Sequence, residues 1–213
     1  MGASLGPFPE NDEGALAALV RGRGLALIIG VEGDRPLVAH APVIWSPGRL
    51  RFHLSATNPL CAVLSASRRA MAVVMGPDAY VSPDWYAAAD QVPTWNYLSV
   101  EMEGAVRVMA GEETTALLDD LSAQFEARLA PKSQWTRAKM SPGRFETMLR
   151  AITGFEMSLG RMIGTSKLSQ NKPAAEIARV AAALAERPDE GSRLIAQAMV
   201  AQTMVAGTMT RAG

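Results

Sequence analysis

LALIIGVEGDRPLVAHAPVIWSPGRLRFHLS, Leu25 to Ser55, is the stretch that decides the fold. Leu25 to Val31 is a short apolar run of the kind a buried strand shows. Glu32-Gly33-Asp34 is turn chemistry, and Leu37 to Trp45 reads as a second strand paired with the first as a hairpin. Ser46-Pro47-Gly48 is another turn. Leu50, Phe52 and Leu54 then alternate with Arg51, His53 and Ser55, the period of a half-buried third strand.

Upstream, Asn11 and Asp12 can cap a short helix whose apolar stripe is Leu16, Leu19 and Val20, with Gly22 and Gly24 ending it. Downstream, Asn58-Pro59 opens another short helix, Pro59 standing where a missing N–H does no harm. Ala70 to Met75 reads as a fourth strand. Gly76 to Thr94 has no clean period and reads as a long loop, a kind of segment that is usually functional in a compact domain. Val100, Met102, Val106 and Val108 alternate with Glu101, Glu103 and Arg107 in a long strand, with a bulge or bend expected at Gly104. Glu112 to Leu129 is a helix with Leu117, Leu118, Leu121 and Phe125 on one face. Lys132 to Gly143 is a polar loop, and Phe145 to Arg150 a short helix. Phe155, Met157 and Leu159 mark the last strand. Two helices follow, Pro173 to Glu186 and one from about Glu190.

About six strands with hairpin-type connections do not alternate regularly with helices, so a doubly wound parallel sheet is not expected. A small antiparallel barrel with flanking helices fits. The expected organisation is a barrel domain over residues 1–165 and a C-terminal helical segment over 166–213, packing on the barrel or at a dimer.

The 213 residues carry 21 Lys and Arg against 21 Asp and Glu, a formal net charge of zero. That argues against a strong nonspecific nucleic-acid binder, which presents a basic face. No apolar run approaches the ~20 residues that span a bilayer. Met1 to Asn11 has neither the basic nor the apolar region of a secretory signal, and Met1-Gly2-Ala3-Ser4 reads equally as a native start or a remnant of cloning. The cytoplasm is the expected location. The single cysteine, Cys61, allows no internal disulfide and reads as a small apolar residue under a helix.

No phosphate-binding glycine loop, zinc-protease helix or nucleophile elbow is present. The two histidines, His40 and His53, lie on strands beside apolar neighbours. They could be hydrogen-bonded residues near the core, and without carboxylate or thiolate partners they do not make a metal site. GPDAYVSPDWY, Gly76 to Tyr86, is the densest cluster of special residues. Its Tyr80, Trp85 and Tyr86 either pack on the body or border a ligand. In VPTWNY, Val92 to Tyr97, Trp95 and Tyr97 flank Asn96 and share a face suited to a flat heterocycle. SKLSQNKP, Ser166 to Pro173, sets Lys167, Ser169, Gln170 and Asn171 just before a helix N-terminus, where N–H groups favour anions. The simpler reading is helix capping by Asn171 with a solvated Lys172.

GPDAYVSPDWY with VPTWNY, the stretch MLRAITGFEM (Met148 to Met157) and KLSQNKP together resemble the PaiB-like proteins, described as FMN-binding negative transcriptional regulators. The likeness is specific at the first and third segments and weaker from about Asp12 to Leu184. The family shows a strand ending in His-Leu-Pro, here His40-Ala41-Pro42. It also shows His-x-Ala-Arg-x-Asn-Pro, here His53-Leu54-Ser55-Ala56-Thr57-Asn58-Pro59. Both histidines therefore fall at family positions. Two features depart from the pattern. Ala56 stands where the family carries arginine, and the Met-Tyr-x-Pro opening is absent.

The resemblance implies an α+β fold, mainly β: an antiparallel split β-barrel of the FMN-binding type. FMN would sit at the interface of a homodimer. It implies phosphate contacts from His53, Ser55 and Asn58, with Arg51, Lys167 or the Ser55 and Thr57 hydroxyls standing in for the missing arginine. Trp95, Asn96 and the segment with Lys167, Ser169, Gln170 and Asn171 would line the ring. His40, Tyr80, Trp85 and Tyr86 would border a substrate. The implied function is a regulator acting on DNA directly or through a protein partner, and the C-terminal helices are the one candidate DNA-reading element. Flavin-dependent oxidoreduction and haem binding through His40 or His53 are the alternatives the fold suggests.

Overall fold

The computed structural model describes residues 8–209; the Met1–Ser4 opening lies outside them. Seven strands and six helices follow in chain order. They are β1 (Pro9–Glu10), α1 (Glu13–Arg23), β2 (Leu25–Glu32), β3 (Arg35–Ser46), β4 (Arg49–Ser55), α2 (Pro59–Ser67), β5 (Arg69–Val81), β6 (Thr94–Val108), α3 (Gly111–Glu126), α4 (Arg144–Leu149), β7 (Ile152–Lys167), α5 (Ala174–Ala185) and α6 (Glu190–Met209). The sheet order is β1-β7-β4-β3-β2-β5-β6, and β6 also pairs with β7. That last pairing closes six strands into an antiparallel barrel, which removes the exposed edges of an open sheet. The fold is thus the α+β, mainly β split barrel expected from the sequence.

The three central strands pair as read: Ile28 opposite Ala39, and Val43 opposite Phe52. Three later strands are longer than their patterns suggest. β5 runs on through Gly76 to Val81, β6 begins at Thr94, and β7 extends from Ile152 to Lys167. The expected loop therefore shrinks to the residues between Val81 and Thr94, with a 3-10 turn at Pro83–Trp85. Gly76-Pro77-Asp78 and Gly160 are poor strand formers, so local preference hides a pairing that tertiary contacts impose. β1 has only two residues, opposite Thr165 and Gly164, too short to show a period.

Contacts divide the described chain into two units. The first comprises Asp12–Val74 and Val100–Ile163. Its core is the barrel interior: Ile28, Leu50, Phe52, Val74, Met102, Phe155 and Met157, with alanines at 39, 41 and 72. Phe52 and Phe155 stack at 5.4 Å between ring centroids. Each large side chain so buried contributes about 1.5–3 kcal/mol before entropy is charged. Gly104 is where β6 meets β7: a Cβ there would lie 2.0 Å from the Ser158 carbonyl oxygen. The glycine expected as a bend is therefore a point of close backbone approach. On the outer face of the barrel, α3 sets Leu117 and Leu121 against Ile44 and Met109.

The second unit comprises residues 8–11, Met75–Ser99 and 164–209. Its core joins Ala79, Val81, Tyr86 and Leu168 to Ile177, Val180, Leu184, Ile195 and Met199 of α5 and α6.

Candidate functional site

In the barrel unit the predicted residues gather on β4 and the start of α2. Beyond the Val43–Phe52 pair, Pro42 and His53 both line a cleft of about 480 Å³. Leu118, Leu121 and Phe125 of α3 form one wall; Trp135, Phe145, Met148 and Ile152 form the other. The segment that carries Trp135 is pinned to α3. Glu126 receives Lys132 Nζ and, at 2.7 Å, the Trp135 N–H. Those donors, Lys132 first, hold its carboxyl below the usual range. Arg137 bridges to Asp119 at 3.1 Å and lies over the Phe145 ring. The polar residues of the expected loop thus anchor an apolar wall.

His53 is a polar group of a different kind in this mostly apolar cleft, which Ser122 and the Arg137–Asp119 pair also line. Its Nδ1 is buried and has no hydrogen-bond partner among the described residues. Burial pushes its pKa down, so the imidazole is neutral at pH 7. An orphaned buried polar atom of this kind costs about 1–3 kcal/mol, which a ligand group would relieve.

The neighbours of His53 are differently occupied. Arg51 donates to Asp120 at 2.7 Å, and its side chain is only 22% exposed. Ser55 and Thr57 share a hydrogen bond of 2.9 Å at the surface. Asn58 caps α2, its Oδ1 accepting the Leu60 N–H at 2.9 Å. The Cys61 thiol, buried in α2, donates to the Ser55 carbonyl. His40 is exposed on β3 and is not among the residues that line the cleft.

The remaining predicted residues fall in the second unit and form two constellations. In one, Tyr86, Asn96 and Ser169 make a buried network. The Tyr86 hydroxyl and the Asn96 amide each lie 3.1 Å from Ser169 Oγ. Ser169 has a φ of +59°, which turns the chain out of β7. Gln170 folds back on its own turn, accepting from the Leu168 N–H and donating to the Ser166 carbonyl. Lys167 donates to Thr94 Oγ1 at 2.6 Å, and Lys172 to Gln91 Oε1 at 2.6 Å. Apart from Gln170, which is not among the lining residues, these groups line a pocket of about 160 Å³ together with Asn171 and Phe8. Asn171 does not cap α5: Pro173 holds the N-cap position, with no side-chain bond. Lys172 lies over the Tyr86 ring, so neither half of the capping-and-solvation reading holds.

In the other constellation Trp95, 54% exposed, meets Tyr80, 46% exposed, edge-on at 6.0 Å. Both face a cleft with Trp85, Asp78, Arg187 and Asp189. The aromatic cluster of the sequence is therefore split: Tyr86 is core, whereas Tyr80, Trp85 and Trp95 border open space.

Sequence reasoning missed the cleft wall at Trp135, Arg137, Phe145 and Met148. It also missed Lys172, Thr94 and Gln91 as partners of the Lys167 segment. Trp135 and Phe145, aromatic residues in a polar stretch, were the available signal for the wall. Among the described residues no cluster of three or more His, Cys, Asp or Glu gathers to hold a metal, and no helix is long and apolar enough to cross a membrane.

Comparison with known proteins places these features. The chain is 25% identical over 184 residues to "Protease synthase and sporulation protein PAI 2" of Bacillus subtilis, covering 84% of this chain and 87% of that one. Among solved structures, a FAD and heme binding protein from Mycobacterium smegmatis has a TM-score of 0.58 at 20% identity, over 80% of this chain and 78% of its own. A conserved hypothetical protein from Mycobacterium tuberculosis has a TM-score of 0.59 at 12% identity, over 80% and 94%. At such identities the structural likeness shows the fold alone. A family model described as "Putative FMN-binding domain" matches residues 6–161, most of the chain, so this protein belongs to that family and FMN is the cofactor the family implies.

Proposed function

We propose that this chain is an FMN-binding regulator that works as a homodimer, seats its flavin ring beside His53, and lowers gene expression through a protein partner. The unpartnered Nδ1 of His53, at an apolar cleft of about 480 Å³, carries the reading. The fit of the ring is good. The volume lies in the roughly 300–1,000 Å³ range of small-molecule sites, and the walls are mostly apolar, with His53, Ser122 and the Arg137–Asp119 ion pair as their polar groups. An isoalloxazine edge offers both donors and acceptors to a neutral imidazole. The phosphate tail has the Ser55 and Thr57 hydroxyls within the same strand and turn, while Arg51 is already held by Asp120. When bound, FMN supplies redox chemistry, and the chain supplies its orientation and a dry wall.

The regulatory half of the reading is supported by the similarity to PAI 2, whose name ties that protein to protease synthesis and sporulation. A protein partner is favoured over direct DNA reading by the zero net charge. A second reading, a flavin-dependent oxidoreductase, is favoured by the far wall of the cleft. Trp135, Met140 and Met148 offer apolar surface on which a second molecule could lie against the ring.

The test begins with the visible spectrum of the purified protein and mass spectrometry of the released ligand, followed by FMN titration of wild type and His53→Leu. Flavin binding weakened about tenfold in the variant, or about 1.4 kcal/mol, is expected. A flat FMN titration of the wild type overturns the reading, and a haem spectrum replaces it with haem binding. NAD(P)H consumption by the loaded protein separates the oxidoreductase. Raised transcript levels in cells lacking the chain support the regulator.

A further inference from the structure

We propose that the pocket formed by Lys167, Lys172, Asn171 and Thr94 is a binding site for a small oxyanion, a phosphate or carboxylate group. It lies wholly within the second unit and does not depend on where the flavin ring sits.

The charge balance is the first argument. Lys167 and Lys172 are both half-buried, and both residues line the pocket. No carboxylate lines it, and among the described residues neither lysine joins an ion pair. Elsewhere in the molecule cations near acids are paired, as Arg51 is with Asp120 and Arg161 with Glu103. Two partly desolvated cations in one pocket repel each other, and an anion between them would remove that cost.

Hydrogen-bond capacity is the second. Each ammonium has three N–H donors. One from Lys167 goes to Thr94 and one from Lys172 to Gln91, so two remain on each. Those bonds also fix the direction of both flexible side chains, which reduces the entropy lost on binding. The acceptor atoms at the back of the pocket are already used: Ser169 Oγ and the Asn96 amide satisfy each other and Tyr86. A surplus of donors with few open acceptors selects a ligand that only accepts, as ionised phosphates and carboxylates do.

Size is the third. At about 160 Å³ the pocket is well below the span of drug-sized sites, so it suits one anionic group rather than a whole nucleotide. Two sources share this chemistry: the phosphate tail of a flavin, or a free small anion.

The experiment is calorimetric titration of the flavin-free full chain with inorganic phosphate at constant ionic strength. The variants are the double Lys167→Gln/Lys172→Gln and, as the conservative control, Lys167→Arg/Lys172→Arg. Saturable binding by the wild type, retained in the arginine variant and weakened at least about tenfold in the glutamine variant, is expected. FMN and riboflavin titrations identify the source. If the flavin tail fills the pocket, the glutamine variant loses FMN affinity and keeps riboflavin affinity; if a free anion does, both flavins are unaffected while phosphate binding is lost. Because the double variant could fail to fold, the wild type is also probed by acetylation: millimolar phosphate must slow modification of Lys167 and Lys172 relative to Lys132 and Lys139. Equal phosphate binding by wild type and the glutamine variant, or equal protection of all four lysines, overturns the proposal. Failure of the flavin reading would show as absent flavin binding in every variant and would leave the phosphate arm intact.

Discussion

At the scale of single residues, His53 and Gly104 show how one side chain, or its absence, is set by its surroundings. His53 is neutral because burial disfavours the imidazolium, so its pKa in the folded chain lies below its unfolded value of about 6.5. As pH falls through that window the unfolded chain takes up the proton first, and stability declines toward the lower folded value. Urea unfolding of wild type and His53→Gln at pH 7 and pH 5 should therefore show a larger acid loss in the wild type. An equal loss in both would remove His53 as the cause. Gly104→Ala is expected to destabilise by more than about 3 kcal/mol, beyond the usual overpacking cost, because the obstructing atom is the backbone oxygen of Ser158. The shift in denaturation midpoint reads it directly. Ala56, in the place of the family's arginine, leaves the turn after β4 with hydroxyls and no guanidinium.

Among the elements, α2 and α5 separate structural from functional roles. Asn58 is the N-cap of α2, and Asn58→Ala should cost about 1 kcal/mol of stability, with Asn58→Asp close to wild type. A loss of FMN affinity in Asn58→Ala at unchanged stability would instead make it a ligand contact. Leu184 of α5 is fully buried with Ile195 and Met199, so Leu184→Ala should cost about 2–5 kcal/mol. Strand β7 is the element the sequence underestimates most. Its outer half, Gly160 to Lys167, is polar and glycine-broken, yet it pairs with β1 and carries Lys167 to the pocket beside Thr94.

For the whole molecule, cofactor binding should appear as stability. A ligand that binds only the folded chain raises its stability by about 2.7 kcal/mol at a hundredfold excess over Kd. The thermal midpoint should accordingly rise with FMN concentration in the wild type and rise less in His53→Leu. A midpoint insensitive to FMN would contradict the cleft as the flavin site. Light scattering at micromolar concentration should give twice the chain mass with or without FMN, if two chains share the flavin.

What the sequence determined by itself is what local period and turn chemistry encode. Leu25 to Ser55 alternates and turns in a way that only paired strands satisfy, and the helices at α1, α3, α5 and α6 declare their buried faces every three to four residues. The family motifs at Tyr80, Trp95 and Lys167 were legible for the same reason, as residue types at fixed spacing. What only the tertiary structure decided is which of those residues are spent and which are available. Arg51 is quenched by Asp120 across 69 residues of chain, Asn96 is tied to Ser169 across 73, and His53 Nδ1 has no hydrogen-bond partner among the described residues. Charge pairing and desolvation depend on distance in space, and no period along the chain records that distance.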